Sequence, residues 1–252
     1  MNLYTALRKE LMEQWRTSRL LVVAAVLLVF GLTSPLLAKY TPELLKLIPG
    51  ADQFAGLVPK PTILDAVAQY VKNIGQFGVL LAILVSMGSL AVEKERGTAA
   101  LMLVKPLPRG SFLAAKFLAL AISFGVALAL AALAGYYYTL VLFGPLDWGA
   151  WLALNGLMGL EMLVYVALTM LFSTLLRSQA AAAGLGLGCI LVLSLVGSLP
   201  TLGDAMPDKL VSWGASLFTG QALPAWGAVW VSGGIILAAL LAAWLAFRRQ
   251  EL

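Results

Sequence analysis

The sequence contains no histidine and only one cysteine, Cys189, among its 252 residues. Without histidine, neither a histidine-activated nucleophile nor a histidine-ligated metal centre can form. One cysteine excludes an internal disulfide, and its position in an apolar run favours a packing role. These scarcities exclude much of ordinary hydrolase chemistry, and we predict no metal and no cofactor bound by this chain.

Charged residues are also scarce, at 12% of the chain, whereas hydrophobic residues make up 61%. The mean hydropathy is +0.93. A soluble protein this apolar could not cover its surface with polar groups, so we predict an integral membrane protein. The formal charge of +5 does not indicate nucleic-acid binding, because the basic residues flank apolar runs and suit anionic lipid headgroups.

Six apolar runs are long enough to cross a bilayer, which takes about 20 helical residues. We predict spans at about 20–38, 73–92, 117–143, 151–176, 180–199 and 226–247. Segments 39–72 and 200–225 then lie on the outer side, with two short helices near 43–48 and 63–71. Lys and Arg number twelve on the inner side and five on the outer side, which predicts cytoplasmic termini by the positive-inside rule. Pro35 is expected to kink or end the first span.

The first 18 residues show a helical pattern. Leu3, Leu7, Leu11 and Trp15 recur every four residues, with charged residues between them. This spacing predicts an amphipathic helix that lies in the membrane interface, with a soluble helix packed on a partner as the alternative. The segment does not resemble a cleavable signal peptide, because the apolar run that follows it is long enough to span.

A polar island, 93–116, separates the second and third predicted spans. It holds seven charged residues, whereas the twenty residues before it and the thirty after it hold none. Gly97 can break the incoming helix, Thr98 is a good N-cap, and Pro106 prevents continuation of a short helix over Ala99–Val104. On composition alone, a solvated anchor between two spans explains the island equally well.

The order of the parts in this island adds a resemblance. An acidic Glu93-Lys94-Glu95 stretch, Gly97-Thr98, a short apolar helix, Pro106-Leu107-Pro108-Arg109 and then Lys116 resemble the loop between the second and third spans of ATP-binding-cassette (ABC) transporter permeases of the type-2 exporter class. The resemblance implies an all-α bundle of six spans, an N-terminal elbow helix and a short cytoplasmic coupling helix. In that class, the coupling helix sits in a groove of a separate ATPase subunit.

The resemblance also implies partners and a location. Two permease copies, identical or closely related, would form the substrate pathway, and two ATPase subunits would bind ATP and Mg in a bacterial or archaeal cell membrane. The residues that the resemblance assigns to coupling are Glu93, Glu95, Arg96, Gly97, Thr98, Leu101, Met102, Val104, Pro106, Pro108 and Arg109. Glu93, Glu95 and Arg109 can pair with the ATPase or with one another.

The chain has no phosphate-binding motif of its own. No Gly-x-x-x-x-Gly-Lys-Ser/Thr sequence occurs in it, and Val231-Ser232-Gly233-Gly234 lies within the last apolar run, where helix packing is the natural interpretation. We therefore expect no ATPase or other enzyme activity in this chain. Any ATP that drives transport must be bound by another polypeptide.

Glu161 is the only charged residue inside a predicted span. An ionised acid facing lipid costs a few kcal/mol, so we expect Glu161 to face the protein interior, in the pathway or in a structural contact. Two alternatives remain open: a membrane scaffold for an ATPase, and a proton-coupled secondary transporter that uses Glu161. An enzyme acting on lipid is disfavoured, because no other predicted span supplies a partner acid.

Overall fold

The computed structural model describes residues 3–47, 59–95, 108–220 and 223–250. Within these ranges the chain is helical and contains no β-strand. The α-helices are α1 (Leu3–Arg16), α2 (Arg19–Lys46), α3 (Ile63–Ser86), α4 (Ala91–Glu95), α5 (Arg109–Phe143), α6 (Trp148–Leu175), α7 (Gln179–Gly197), α8 (Asp208–Ser216) and α9 (Trp226–Arg249). A short 3-10 turn, Gly203–Ala205, precedes α8.

Six of these helices are long and apolar enough to cross a membrane: α2, α3, α5, α6, α7 and α9. The all-helical class and the six spans predicted from the sequence are confirmed. The three other α-helices that the structure describes are shorter. They are the N-terminal α1, the short α4 after the second span, and α8 between the fifth and sixth spans.

The first span is longer than its apolar run. Helix α2 continues through Pro35 and Pro42 to Lys46. Of the two outcomes predicted for Pro35, a kink or a helix end, the end is wrong, and the short helix expected near Glu43 is the end of α2. Membrane helices tolerate interior proline because neighbouring groups and local adjustments satisfy the freed carbonyl groups.

The second and third spans also begin earlier than predicted. Helix α3 begins at Ile63 because Asp65 Oδ2 accepts hydrogen bonds from Thr62 N and Thr62 Oγ1, both 2.7 Å long. The predicted short helix at 63–71 and the second span are therefore one helix. Helix α5 begins at Arg109, with Pro108 at its N-cap.

The amphipathic helix α1 presents a polar face to the bundle. Ala6, Glu10 and Gln14, spaced four residues apart, are its buried residues. Leu3 and Trp15, from the predicted apolar stripe, are exposed. Helix α1 thus has an apolar side that suits lipid and a polar side that packs on α5, where Gln14 Oε1 accepts a hydrogen bond from Ser123 Oγ.

The main core lies between α3, α5 and α6. The Tyr70 and Trp151 rings are in contact, with centroids 4.5 Å apart, and both side chains are fully buried. Their polar atoms are satisfied: Tyr70 Oη donates to Asn155 Oδ1 at 2.6 Å, and Trp151 Nε1 donates to the Ala132 carbonyl at 3.0 Å. These paired polar groups fix the mutual positions of the three helices.

Helices α2 and α5 approach each other at backbone distance. A Cβ atom added to Gly31 would lie 2.5 Å from the Ala131 carbonyl oxygen. Only glycine fits at this position, so the two backbones are in direct contact.

The chain between the fifth and sixth spans packs into the bundle. Leu210 of α8 is fully buried. A Cβ added to Gly214 would lie 2.8 Å from Leu154 Cδ1 of α6, and the Phe218 ring contacts the Trp151 ring at 6.5 Å. This segment was predicted to lie on the outer side, between spans. In the structure its helix, α8, packs against α6.

Candidate functional site

Only the two ends of the island between the second and third spans belong to the described residues. Glu93, Pro108 and Arg109 are described. The other predicted coupling residues lie outside the described part: the Glu95 side chain, Arg96, Gly97, Thr98, Leu101, Met102, Val104 and Pro106. The coupling helix over Ala99–Val104 therefore stays a prediction.

The incoming end of this loop is held by α6. The chain turns after α3, and α4 begins at Ala91. Ser173 Oγ accepts hydrogen bonds from the backbone nitrogens of Leu90 and Ala91, both 3.0 Å long. Because the first amide groups of a helix have no partner within the helix, Ser173 supplies the acceptor that α4 lacks. Lys94 Nζ donates to the Thr174 carbonyl, so α4 is fastened to the end of α6 at two points.

A buried ion-pair cluster joins this end to α1 and α5. Lys116 of α5 lies between two acids, with Nζ 3.0 Å from Glu10 Oε2 and 2.8 Å from Glu93 Oε1. Lys116 is only 5% exposed. Both contacts are charge-assisted hydrogen bonds in a place shielded from solvent, where such pairs are stronger than on a surface.

The outgoing end is held by α9. Arg109 donates from one guanidinium nitrogen to the carbonyl oxygens of Phe247 and Arg248, both at 2.8 Å, and of Gln250 at 3.2 Å. A helix leaves its last carbonyl groups without partners, and a cation satisfies them well. Gln250 Nε2 in turn donates to the Thr174 carbonyl at 2.9 Å.

Among the described residues, Glu93 pairs with Lys116, Arg109 binds the end of α9, and no ion pair joins Glu93 to Arg109. Pairing of Glu95, and pairing of these residues with an ATPase, stay predictions. We use the term loop base for Glu93, Lys94, Arg109 and Lys116 together with the groups that they contact. The contacts of Glu10, Ser173 and Gln250 with this loop were not predicted, because residues this far apart in the sequence share no local pattern.

Glu161 lies in the middle of α6 and is 9% exposed, in the interior as expected. Glu161 has no partner acid in the other predicted spans, but an acid outside those spans lies nearby in the folded chain. The Asp208 carboxylate, at the start of α8, is near enough for its charge to act on Glu161 and on Tyr165, one turn further along α6. Asp208 was missed because its segment was assigned to the outer side.

The comparisons with known proteins agree with this architecture. A family model described as "ABC-2 family transporter protein" matches residues 4–212. The chain belongs to this family. It is thus a membrane component of an ABC-type transporter, as the resemblance of its loop implied.

One relative of this ABC-2 family protein is described as "Uncharacterized transmembrane protein YxlG", from Bacillus subtilis (strain 168). It is 30% identical over 200 residues, which cover 77% of this chain and 75% of the relative. The match covers most of both proteins, so this chain is similar to a transmembrane protein of about the same length.

Proposed function

We propose that this ABC-2 protein is the permease subunit of an exporter, and that a separate ATPase subunit docks on Ala99–Val104. ATP and Mg are bound by that subunit and not by this chain. The observation that carries the proposal is the loop base, which fastens both ends of the loop to other helices.

A coupling loop has to transmit movement without slack. The incoming end is bonded to α6 through Ser173 and Thr174, and the outgoing end is bonded to α9 through Arg109. Lys116 joins Glu93 to α1. A push on the loop would therefore reach α1, α3, α5, α6 and α9 together. A solvated anchor needs no such cross-links.

The same contacts support a common side for the termini and the loop. Glu10 in α1 contacts Lys116, and Gln250, after α9, accepts a hydrogen bond from Arg109. The N-terminal helix, the loop base and the C-terminal end therefore lie at one end of the bundle. The excess of Lys and Arg there supports a cytoplasmic location.

Two copies of the permease would form the pathway between them. Helices α7 and α9 are the natural candidates for the contact surface, since Leu191, Leu195 and Trp230 are largely exposed in the single chain. In a bilayer, such apolar faces meet either lipid or another helix. Crosslinking within native membranes would distinguish a homodimer from a monomer.

The proposal is tested by charging the loop. Leu101→Glu removes an apolar side chain worth about 1.5–3 kcal/mol from the proposed contact and adds the desolvation cost of an acid. We expect normal membrane insertion and a loss of more than about tenfold in copurified ATPase subunit. The measurement is the amount of ATPase that a tagged permease retains from native membranes.

Leu101→Met is the matched control, because it keeps an apolar side chain of similar size. It should retain the ATPase. A Leu101→Glu protein that keeps its ATPase and full ATP turnover would show that the loop is a solvated anchor. Retention of an ATPase whose turnover does not respond to the permease would favour the scaffold function.

A further inference from the structure

The seam between α6 and α7 contains polar side chains that the loop does not use. Glu161, Tyr165 and Thr169 are spaced four residues apart on α6 and therefore share one face. They are 9%, 4% and 0% exposed. We call these three residues, with Asp208 from α8, the α6–α7 seam.

None of the α6 residues in the seam has a hydrogen-bond partner within the described residues. Thr169 Oγ1 is fully buried and unbonded. Glu161 and Tyr165 make no hydrogen bond or ion pair with the described parts of the chain. Buried polar groups in proteins are nearly always hydrogen-bonded, so the fully buried and unbonded Thr169 hydroxyl is unusual.

A second helix adds another unbonded group. Asp208 Oδ1 is buried and has no partner among the described residues. A Cβ added to Gly197, at the end of α7, would lie 2.8 Å from Asp208 Oδ2, which places this carboxylate against α7. The Asp208 charge acts on Glu161 and Tyr165, and the Tyr165 hydroxyl is also near Cys189 of α7. Groups from three helices thus lie along one seam, in which Thr169 is two helical turns, about 12 Å, from Glu161.

The carboxyl groups of Glu161 and Asp208 have no basic partner among the described residues. Lys209, the basic neighbour of Asp208 in sequence, pairs with the exposed Asp204 at 3.1 Å. No cation among the described residues forms an ion pair with Glu161 or Asp208. Glu161 is buried, and Asp208 is partly buried with its Oδ1 atom enclosed. Acids without a basic partner are costly at membrane depth, so a ligand that carries positive charge gains more here than at a neutral site.

Helix α7, which covers the seam, buries few of its residues in the single chain. Of the residues in α7, only Ala182, Ala183 and Gly186 are buried. A Cβ added to Gly186 would lie 2.9 Å from Thr169 Oγ1, so α7 covers the seam with a glycine and no bonding group.

From these contacts we propose that the α6–α7 seam binds the positively charged group of an amphipathic cation, with Glu161 and Asp208 as its counter-ions. Tyr165, one turn from Glu161, offers a hydroxyl group beside it, Thr169 lies one turn further along the seam, and the surrounding apolar side chains suit the hydrophobic part of the ligand. This inference names a cargo class for the exporter proposed above and rests on that function for its transport role. Binding itself needs no ATPase.

The test uses the purified permease in lipid nanodiscs and tetraphenylphosphonium as the probe. Equilibrium dialysis should show saturable binding, and Glu161→Gln, which keeps the size of the side chain, should weaken it by about tenfold or more. Glu161→Asp, which keeps the charge, should bind more tightly than Glu161→Gln. Glu43→Gln, an exposed change at the far end of α2, should bind as the unchanged protein does.

A neutral analogue, triphenylphosphine oxide, separates charge recognition from apolar partitioning. It should bind the unchanged protein and Glu161→Gln equally. If Glu161→Gln does not fold, Asp208→Asn provides the second variant and should also weaken tetraphenylphosphonium binding.

Absence of saturable tetraphenylphosphonium binding, or equal binding by the unchanged protein and both variants, would overturn the proposal. Neither result touches the proposed ATPase docking, which the copurification with Leu101→Glu tests separately. Conversely, charge-dependent binding by a permease that retains no ATPase would keep the site and reject the exporter mechanism.

Discussion

The loop base and the α6–α7 seam both bury polar side chains, but their polar groups are satisfied to different degrees. At the loop base, Lys116 has two carboxylate partners and Ser173 accepts two backbone hydrogen bonds. In the seam, Glu161 and Thr169 have no hydrogen bond from the described residues. A network of paired charges holds helices in place, whereas polar groups without hydrogen bonds leave bonding capacity for a ligand. The comparison predicts opposite responses to substitution in the two regions.

The largest effect is expected at Lys116. Lys116→Met removes the buried cation that Glu10 and Glu93 share, which should destabilise the bundle by up to about 3–5 kcal/mol, because Lys9, half exposed and 3.9 Å from Glu10, replaces it only in part. The measurement is unfolding of the purified protein in detergent. Combining Lys116→Met with Glu10→Gln and Glu93→Gln should recover most of the loss, because the two acids are then neutral as well. A Lys116→Met protein as stable as the original would contradict this prediction.

A smaller loss is expected at Ser173. Ser173→Ala removes the acceptor of two hydrogen bonds and leaves the amide groups of Leu90 and Ala91 buried. An unsatisfied buried donor costs about 1–3 kcal/mol, so we expect a loss in this range. Hydrogen exchange at these two amide groups would locate the effect, and unchanged protection there would contradict it.

The smallest effect is expected at Thr169, one turn before Ser173 on the same helix. Thr169→Val keeps the shape of the side chain and removes a hydroxyl group that has no hydrogen bond in the described structure. Removing an unbonded polar group should change the free energy of unfolding by less than about 1 kcal/mol, or raise it. The same unfolding assay, run beside Ser173→Ala, makes the comparison direct. A loss at Thr169 as large as that at Ser173 would erase the distinction between the two regions.

The contrast also explains which features could be predicted from the sequence. The six spans and the interior position of Glu161 follow from local properties, namely apolar length and the cost of a charge in lipid. The ends of α2 and α5 were misplaced because hydropathy marks where the bilayer is and does not mark where a helix stops. Polar residues such as Lys46 and Arg109 continue a helix beyond the apolar core.

The contacts between distant parts of the chain could not be predicted. Glu10 and Lys116 are 106 residues apart, and nothing near either residue indicates the other. Asp208 is a charged residue in a proline-containing segment, which is also typical of an exposed loop. Only the packing of α8 on α6 brings Asp208 close to Glu161.

The backbone contact between Gly31 and Ala131 has a mechanical consequence. Where two helices touch at backbone distance, closer approach is blocked by a clash and separation opens a gap, so this contact resists movement of α2 against α5. The α5 helix also carries Lys116 and Arg109, so in the proposed coupling a movement of the loop would reach α2 through α5.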